Sequence, residues 1–179
     1  MGQYYKCIIL AEKPVEGEKE CVRTFVNPHV YSEGAKLTEH SYCKSTFMRT
    51  VEALLRNGGT FYKSRIVWAG DYADKEPGSE RNLYDSLGEE DLGYTVAEYT
   101  YDHTFIVNHT KREYAMKINQ FHPLPLLTAE GNGRGGGDYR GVDEDLVGTW
   151  ARDVISVKME APADYTMLVH NFGEDPTYL

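Results

Sequence analysis

The sequence is short of cysteine, of long apolar runs and of basic residues, and each shortage excludes a class of protein. Three cysteines, Cys7, Cys21 and Cys43, form no CxxC pair, which argues against a disulfide framework and a cysteine zinc site. No apolar stretch is long enough to cross a bilayer, and residues 1–17 lack the basic region of a signal peptide and a small-residue cleavage site after a long apolar stretch. We therefore expect a cytoplasmic protein without a membrane role.

The chain has 179 residues, of which 41% are hydrophobic and 12% aromatic. This length buries a sizeable core without metal or disulfides, and this aromatic content excludes a disordered tail. No charged or low-complexity linker divides the sequence. We predict a single domain over residues 1–179, and no motif calls for a cofactor.

The charge is acidic overall and unevenly spread. Nineteen basic residues stand against 28 acidic ones, a net charge of −9, and residues 71–91 alone hold eight acids and two bases. This balance disfavours direct nucleic-acid binding as the main activity, whereas the acid-rich stretch would attract a basic partner. A solvated loop is the alternative interpretation. The candidate contact carboxylates are Asp74, Glu76, Glu80, Asp85, Glu89, Glu90 and Asp91.

Residues 41–57 have the clearest periodicity in the chain. Their apolar side chains recur every three or four residues, which predicts one face of an α-helix, with Lys44, Glu52 and Arg56 pointing away from it. Ser41 is the expected N-cap, and Gly58 with Gly59 the glycine exit.

Several short runs of β-branched and aromatic residues predict strands. They predict an antiparallel hairpin with Cys7 and Cys21 able to face each other, and a second hairpin around "NHTKRE". A short helix is expected near 79–87. Together these elements predict an α+β fold: a largely antiparallel sheet with the 41–57 helix packed on one face. The strand candidates are residues 3–11, 20–26, 64–72, 103–118, 124–129 and 150–160.

A glycine-rich stretch, "TAEGNGRGGGDYRG" at 128–141, matches GxGxxG without the strand and helix that a dinucleotide fingerprint needs. It also lacks the lysine and hydroxyl of a P-loop. Two interpretations stay open. The glycines shape the fold, or they form an anion-binding nest for a nucleotide or phosphate. The nest would use Gly131, Gly133, Arg134, Gly135, Gly136 and Asp138.

Aspartates at expected strand ends allow a metal-dependent hydrolase, with Asp71, Asp138 and Asp153 as the ligands. Ordinary turn chemistry explains the same residues. Trp68 and Trp150 are each followed by Ala-x-Asp, which is either coincidence or a pair of equivalent corners. Histidine, serine and cysteine form no catalytic pattern, so the sequence favours a protein that is not an enzyme.

Four stretches together resemble a family of small proteins encoded by phages and prophages. They are "MGQYYK", "IVWAGDYAD" at 66–74, "HPLPLLTAEGNGRGGGDYRG" at 122–141 and "VGTWARDVISV" at 147–157. Small acidic phage proteins include inhibitors of bacterial defence, among them anti-CRISPR proteins that block Cas9. The phage context that this resemblance implies and the acid-rich stretch together predict an inhibitor that acts in the host bacterium's cytoplasm. It would contact an immune effector, such as Cas9 with its guide RNA, through its acidic surface.

Overall fold

The computed structural model describes residues 3–88, 103–118, 120–129 and 143–172, and its strands form one sheet. The sheet has seven strands in the order β2-β1-β3-β6-β4-β5-β7. Every neighbouring pair is antiparallel except β5 and β7. The strands are β1 (Tyr5–Leu10), β2 (Val22–Val26), β3 (Ser64–Gly70), β4 (Phe105–Asn108), β5 (Glu113–Met116), β6 (Val154–Lys158) and β7 (Thr166–Met167).

One main helix, α2 (Thr46–Leu55), follows the short helix α1 (Leu37–His40). The predicted N-cap was wrong: Ser41 ends α1, and Ser45 caps α2 by accepting the Met48 N–H. The apolar residues that recur every three or four positions are buried as predicted, but Glu52, expected to point away from them, is only 1% exposed. The apolar periodicity therefore predicted the helix correctly, whereas the predicted position of its acidic side chain was wrong.

Two hydrophobic clusters use alternate residues of the same strands, because successive side chains in a strand point to opposite faces. The larger cluster unites α2 side chains with Cys7 and Ile9 of β1 and with Ile66 and Trp68 of β3. The smaller contains Ile8 of β1. Strands β1 and β3 are therefore buried on both faces.

The Trp68 indole, which belongs to the larger cluster, contacts the buried side chain of His40. Its Nε1 donates a hydrogen bond to His40 Nε2 at 3.0 Å, while His40 Nδ1 lies 2.9 Å from the Gly34 carbonyl oxygen. Because indole nitrogen only donates, His40 Nε2 must accept, and the proton sits on Nδ1. Burial lowers the pKa of His40 to about 4.

Both predicted hairpins form, as β1 with β2 and β4 with β5. Three smaller expectations were wrong. Cys7 pairs with Val26 and is buried, whereas Cys21 is exposed, so the two thiols do not face each other. Leu124–Leu127 is a 3-10 helix instead of a strand, and residues 83–86 form turns instead of a helix. Within the described ranges, no helix has the length and apolar character to cross a bilayer.

Candidate functional site: an acidic depression at the end of β3

The chain leaves β3 at Gly70 and forms an acidic depression, a concave surface of about 660 Å³ lined by residues 71–75, Glu80, Asn82 and Asp85. Buried Asn82 organises the loop, because its side-chain amide donates to the carbonyl oxygens of Asp71 and Ala73 at 3.1 and 3.2 Å. Its Oδ1 accepts the Asp85 N–H at 2.7 Å. The Asn82 side chain therefore holds both the 71–73 segment and Asp85, which line the depression, in place.

Among the described residues, four carboxylates line this depression, and Lys75 is the one base that does so. Lys75 pairs with Glu80 at 2.9 Å, but both side chains are strongly exposed, so solvent screens the pair. Tyr72 adds an aromatic ring that is 42% exposed. The four carboxylates belong to Asp71, Asp74, Glu80 and Asp85.

Glu76, the remaining described carboxylate of the predicted contact set, has a different environment. It is 7% exposed, and its oxygens accept two hydrogen bonds from Arg152 at 2.7 and 3.1 Å. Arg152 also lies 3.4 Å from Glu20, which forms a two-point contact with Arg65. Burial opposes ionisation of Glu20, yet the hydrogen bonds and charges of Arg65 and Arg152 hold its pKa below the usual value. Glu76 is therefore part of an ionic network with Arg152, Glu20 and Arg65.

Glu76 and Glu80 offer a matched comparison of a paired and a solvated acid. We expect Glu76→Gln to lower the free energy of unfolding by about 1–3 kcal/mol, since it weakens the two charge-assisted hydrogen bonds that Arg152 donates to this buried carboxylate. Glu80→Gln, at a side chain 94% exposed, should change it hardly at all. Urea unfolding followed by tryptophan fluorescence measures both. Equal effects of the two changes would contradict the assignment of Glu76 to the fold.

The other predicted contact carboxylates, Glu89, Glu90 and Asp91, lie outside the described residues. The nest residues Gly131, Gly133, Arg134, Gly135, Gly136 and Asp138 also lie there. Three of the seven predicted contact carboxylates thus line the acidic depression, namely Asp74, Glu80 and Asp85.

The proposed metal ligands Asp71 and Asp153 do not converge. Asp71 directly follows β3, whereas the Asp153 carbonyl oxygen accepts the Ile66 N–H near the other end of that strand. Five residues of strand separate the two positions by roughly 16 Å, and Asp138 lies outside the described residues. Among the residues with described positions, no group of three or more His, Cys, Asp or Glu side chains is arranged so that it could hold a metal ion. Asp71 and Asp153 therefore cannot ligate one ion.

The two Trp-Ala-x-Asp corners have different structures. Trp68 lies within β3 and bonds to His40, whereas Trp150 precedes β6 and donates to Glu113 Oε2 at 2.9 Å. Asp71 Oδ1 accepts the Tyr4 N–H, and Asp153 Oδ2 accepts from the Asn108 amide at 2.8 Å. One corner ends a strand and the other begins one, so the shared letters reflect no shared geometry.

The structure contains a buried ionic cluster that the sequence patterns did not predict. Glu52 on α2 lies within 2.8 Å of Lys117 Nζ and 3.3 Å of both His103 Nδ1 and His122 Nε2. All four side chains are at most 7% exposed. Burial would raise the pKa of Glu52, but hydrogen bonds from both histidines and the charge of Lys117 hold it well below its usual value. These neighbours therefore favour the ionised form of the buried carboxylate.

Only one signal in the sequence pointed to this cluster: an acid within an amphipathic helix. Its partners come from residues 51, 65 and 70 positions further along the chain, so local patterns do not identify them.

Comparison with known proteins found no matching family model, curated protein or solved structure.

Proposed function

We propose that this protein is a phage-type inhibitor of a bacterial nucleic-acid-directed immune effector, of the Cas9 kind, and that it acts by protein–protein contact in the host cytoplasm. The observation that carries the proposal is the acidic depression, where four carboxylates and an exposed tyrosine share one concave surface. An effector that holds a guide RNA must present a basic channel, and such a channel is complementary to this surface.

The composition of the depression favours an arginine-rich partner. Carboxylates accept two parallel hydrogen bonds from a guanidinium group, and a tyrosine ring can stack on its plane. Tyrosine and arginine also dominate the binding energy of many protein interfaces. Asn82 holds the loop in place before binding, which reduces the entropy lost on association.

Neutralising the depression tests the proposal. We expect the D74N/E80Q/D85N variant to inhibit target-DNA cleavage by guide-loaded Cas9 at least about tenfold less well than the wild type, because each carboxylate contributes to electrostatic complementarity. Raising the salt concentration should weaken wild-type inhibition more than inhibition by this variant. Cleavage assays across a protein titration at two salt concentrations measure both effects.

A matched control removes the same charge elsewhere. Glu12, Glu16 and Glu18 are exposed and lie outside the depression, so E12Q/E16Q/E18Q should inhibit like the wild type. Absence of inhibition by the wild-type protein counts against the choice of Cas9 as the effector. Equal weakening by both triple variants would show a net-charge effect and would reject the depression as the contact surface.

A further inference from the structure

Strand β7 is the last strand of the sheet, and among the described strands it has a neighbour on one side only. We call residues 165–169 the β7 edge. The N–H groups of Thr166 and Leu168 donate to backbone carbonyl oxygens in and beside β5, at 3.0 and 2.8 Å. Because alternate residues of a strand direct their backbone groups to opposite sides, those of Met167 and Val169 point away from the sheet.

The outward backbone groups are available for pairing. Within the described part of the chain, the backbone groups of Met167 and Val169 form no hydrogen bond, whereas the Tyr165 N–H donates to the Pro162 carbonyl oxygen at 3.4 Å. A strand edge with a row of such groups is a template on which another strand can pair. The β7 edge therefore fits an extended segment of polypeptide.

The side chains of the β7 edge add exposed apolar surface. Leu168 packs against the larger hydrophobic cluster, so Met167 and Val169 point to the opposite face, where they are 48% and 71% exposed. Met116 on β5 lies beside Val169 when the register of the two strands is extended, and it is 42% exposed. Many natural edges are protected by charged residues or proline, but residues 165–169 contain neither.

The β7 edge is complementary to a second copy of itself. A two-fold axis through Met167 sets two edges antiparallel, so that Met167 faces its own copy and Val169 faces Tyr165 of the other copy. Residues with outward backbone groups then lie opposite one another, as hydrogen-bonded pairs do in an antiparallel sheet. Each Val169–Tyr165 pair also combines a β-branched with an aromatic side chain, which is a favourable cross-strand combination.

The distribution of charge also favours a second copy at this edge. Each chain has a net charge of −9, so two copies repel one another wherever their acids meet. Residues 165–169 carry no charge, and the same antiparallel register places Asp164 opposite His170 of the other copy instead of opposite an acid. Pairing through the β7 edge thus brings the two chains together without opposing carboxylates in the paired strands.

We propose that the β7 edge is a self-association site, at which two copies of this chain join their sheets through antiparallel β7 strands. The contact consists of one short strand from each copy, so we expect a weak dimer with a dissociation constant on the order of 100 µM. Strands β6, β4 and β5 lie between β3 and β7 in the sheet order, so the contact leaves the acidic depression uncovered. The proposal is therefore independent of effector inhibition.

Sedimentation equilibrium of the whole chain from about 20 µM to about 1 mM tests self-association. We expect the average mass to rise from that of one chain toward that of two. A single-chain mass at the highest concentration would overturn the proposal and leave the edge to a strand of a different protein. Growth beyond two chains would also overturn it, because a two-fold contact closes on itself.

Amide hydrogen exchange measured by NMR locates the contact. The Met167 N–H should exchange at least several-fold more slowly at the highest concentration than at the lowest, since a partner strand then covers it. The Thr166 N–H, which is already bonded within each chain, is the internal control and should change much less. A dimer in which exchange at Met167 does not depend on concentration would have its interface elsewhere and would reject the site.

Two valines of equal exposure provide matched variants. Val169 and Val15 are both 71% exposed, and Val15 lies in the loop between β1 and β2, outside the edge. We expect Val169→Lys to weaken dimerisation by about tenfold or more, because a charge enters the paired strands twice in each dimer. Val15→Lys makes the same change in net charge and should leave the dissociation constant at the wild-type value. Equal effects of the two variants would reject the β7 edge as the interface.

Discussion

Replacing Glu52 by alanine is expected to lower the free energy of unfolding by about 3–5 kcal/mol, the usual result of breaking a buried ion pair from one side. The carboxylate is 1% exposed, and Lys117 Nζ lies 2.8 Å from it with its side chain 6% exposed. The variant would remove the carboxylate that lies beside this buried ammonium group, and the two histidines would lose the same acceptor. Urea unfolding at neutral pH measures the loss.

Two further variants separate lost charge from lost volume. Glu52→Gln keeps the size of the side chain and should still be strongly destabilising, because the amide carries no charge to balance Lys117. Adding Lys117→Met to Glu52→Gln should restore part of the stability, since the buried cation that faced the Glu52 carboxylate is then gone. A loss below about 1 kcal/mol for Glu52→Ala, or no recovery in the double variant, would contradict an ionised buried pair.

The sequence predicted most strands but did not predict the buried ionic cluster around Glu52. The reason is that strands depend on local sequence patterns, whereas the cluster depends on residues far apart in the chain. Both hairpins were visible because alternation and turn residues are local properties, and the helix was visible because its apolar residues repeat within one segment. Glu52 was assigned to the solvent side because charged residues are seldom buried alone. Its burial depends on Lys117, His103 and His122, which approach only once the sheet has formed.

The acidic surface was predicted in outline and refined by the structure. Charge density along residues 71–91 indicated an acidic surface, and Asp74, Glu80 and Asp85 do line one concave region. No sequence pattern showed that Glu76 pairs with Arg152, because 76 positions separate them and the contact forms only after β6 has aligned with β3. A count of acids along the chain therefore overestimates the carboxylates available to a partner.

Acidification from neutral pH to pH 5 is expected to lower the free energy of unfolding by about 2 kcal/mol through His40 alone. Burial lowers the pKa of His40 from 6.5 to about 4, so the unfolded chain takes up a proton before the folded one does. The stabilising contribution is therefore complete above pH 6.5 and is lost progressively as pH falls toward 4. Adding a proton to Nε2 would place two N–H groups against each other, because Trp68 Nε1 already donates there at 3.0 Å.

The pKa of His109 is also lowered to about 4, and the pKa of His170 is lowered too, so both histidines change stability in the same direction as His40. The charge of nearby Glu39 opposes the pKa shift of His40.

A His40→Gln variant isolates the His40 contribution, since glutamine offers both an acceptor for Trp68 and a donor for Gly34 without titrating. Urea unfolding at pH 7.5, 6 and 5 should show a smaller acid-induced loss in this variant than in the wild type. As a measurement on the wild type alone, the His40 ring signals should not titrate above about pH 5; a midpoint near 6.5 would show that the ring is hydrated instead of buried against Trp68.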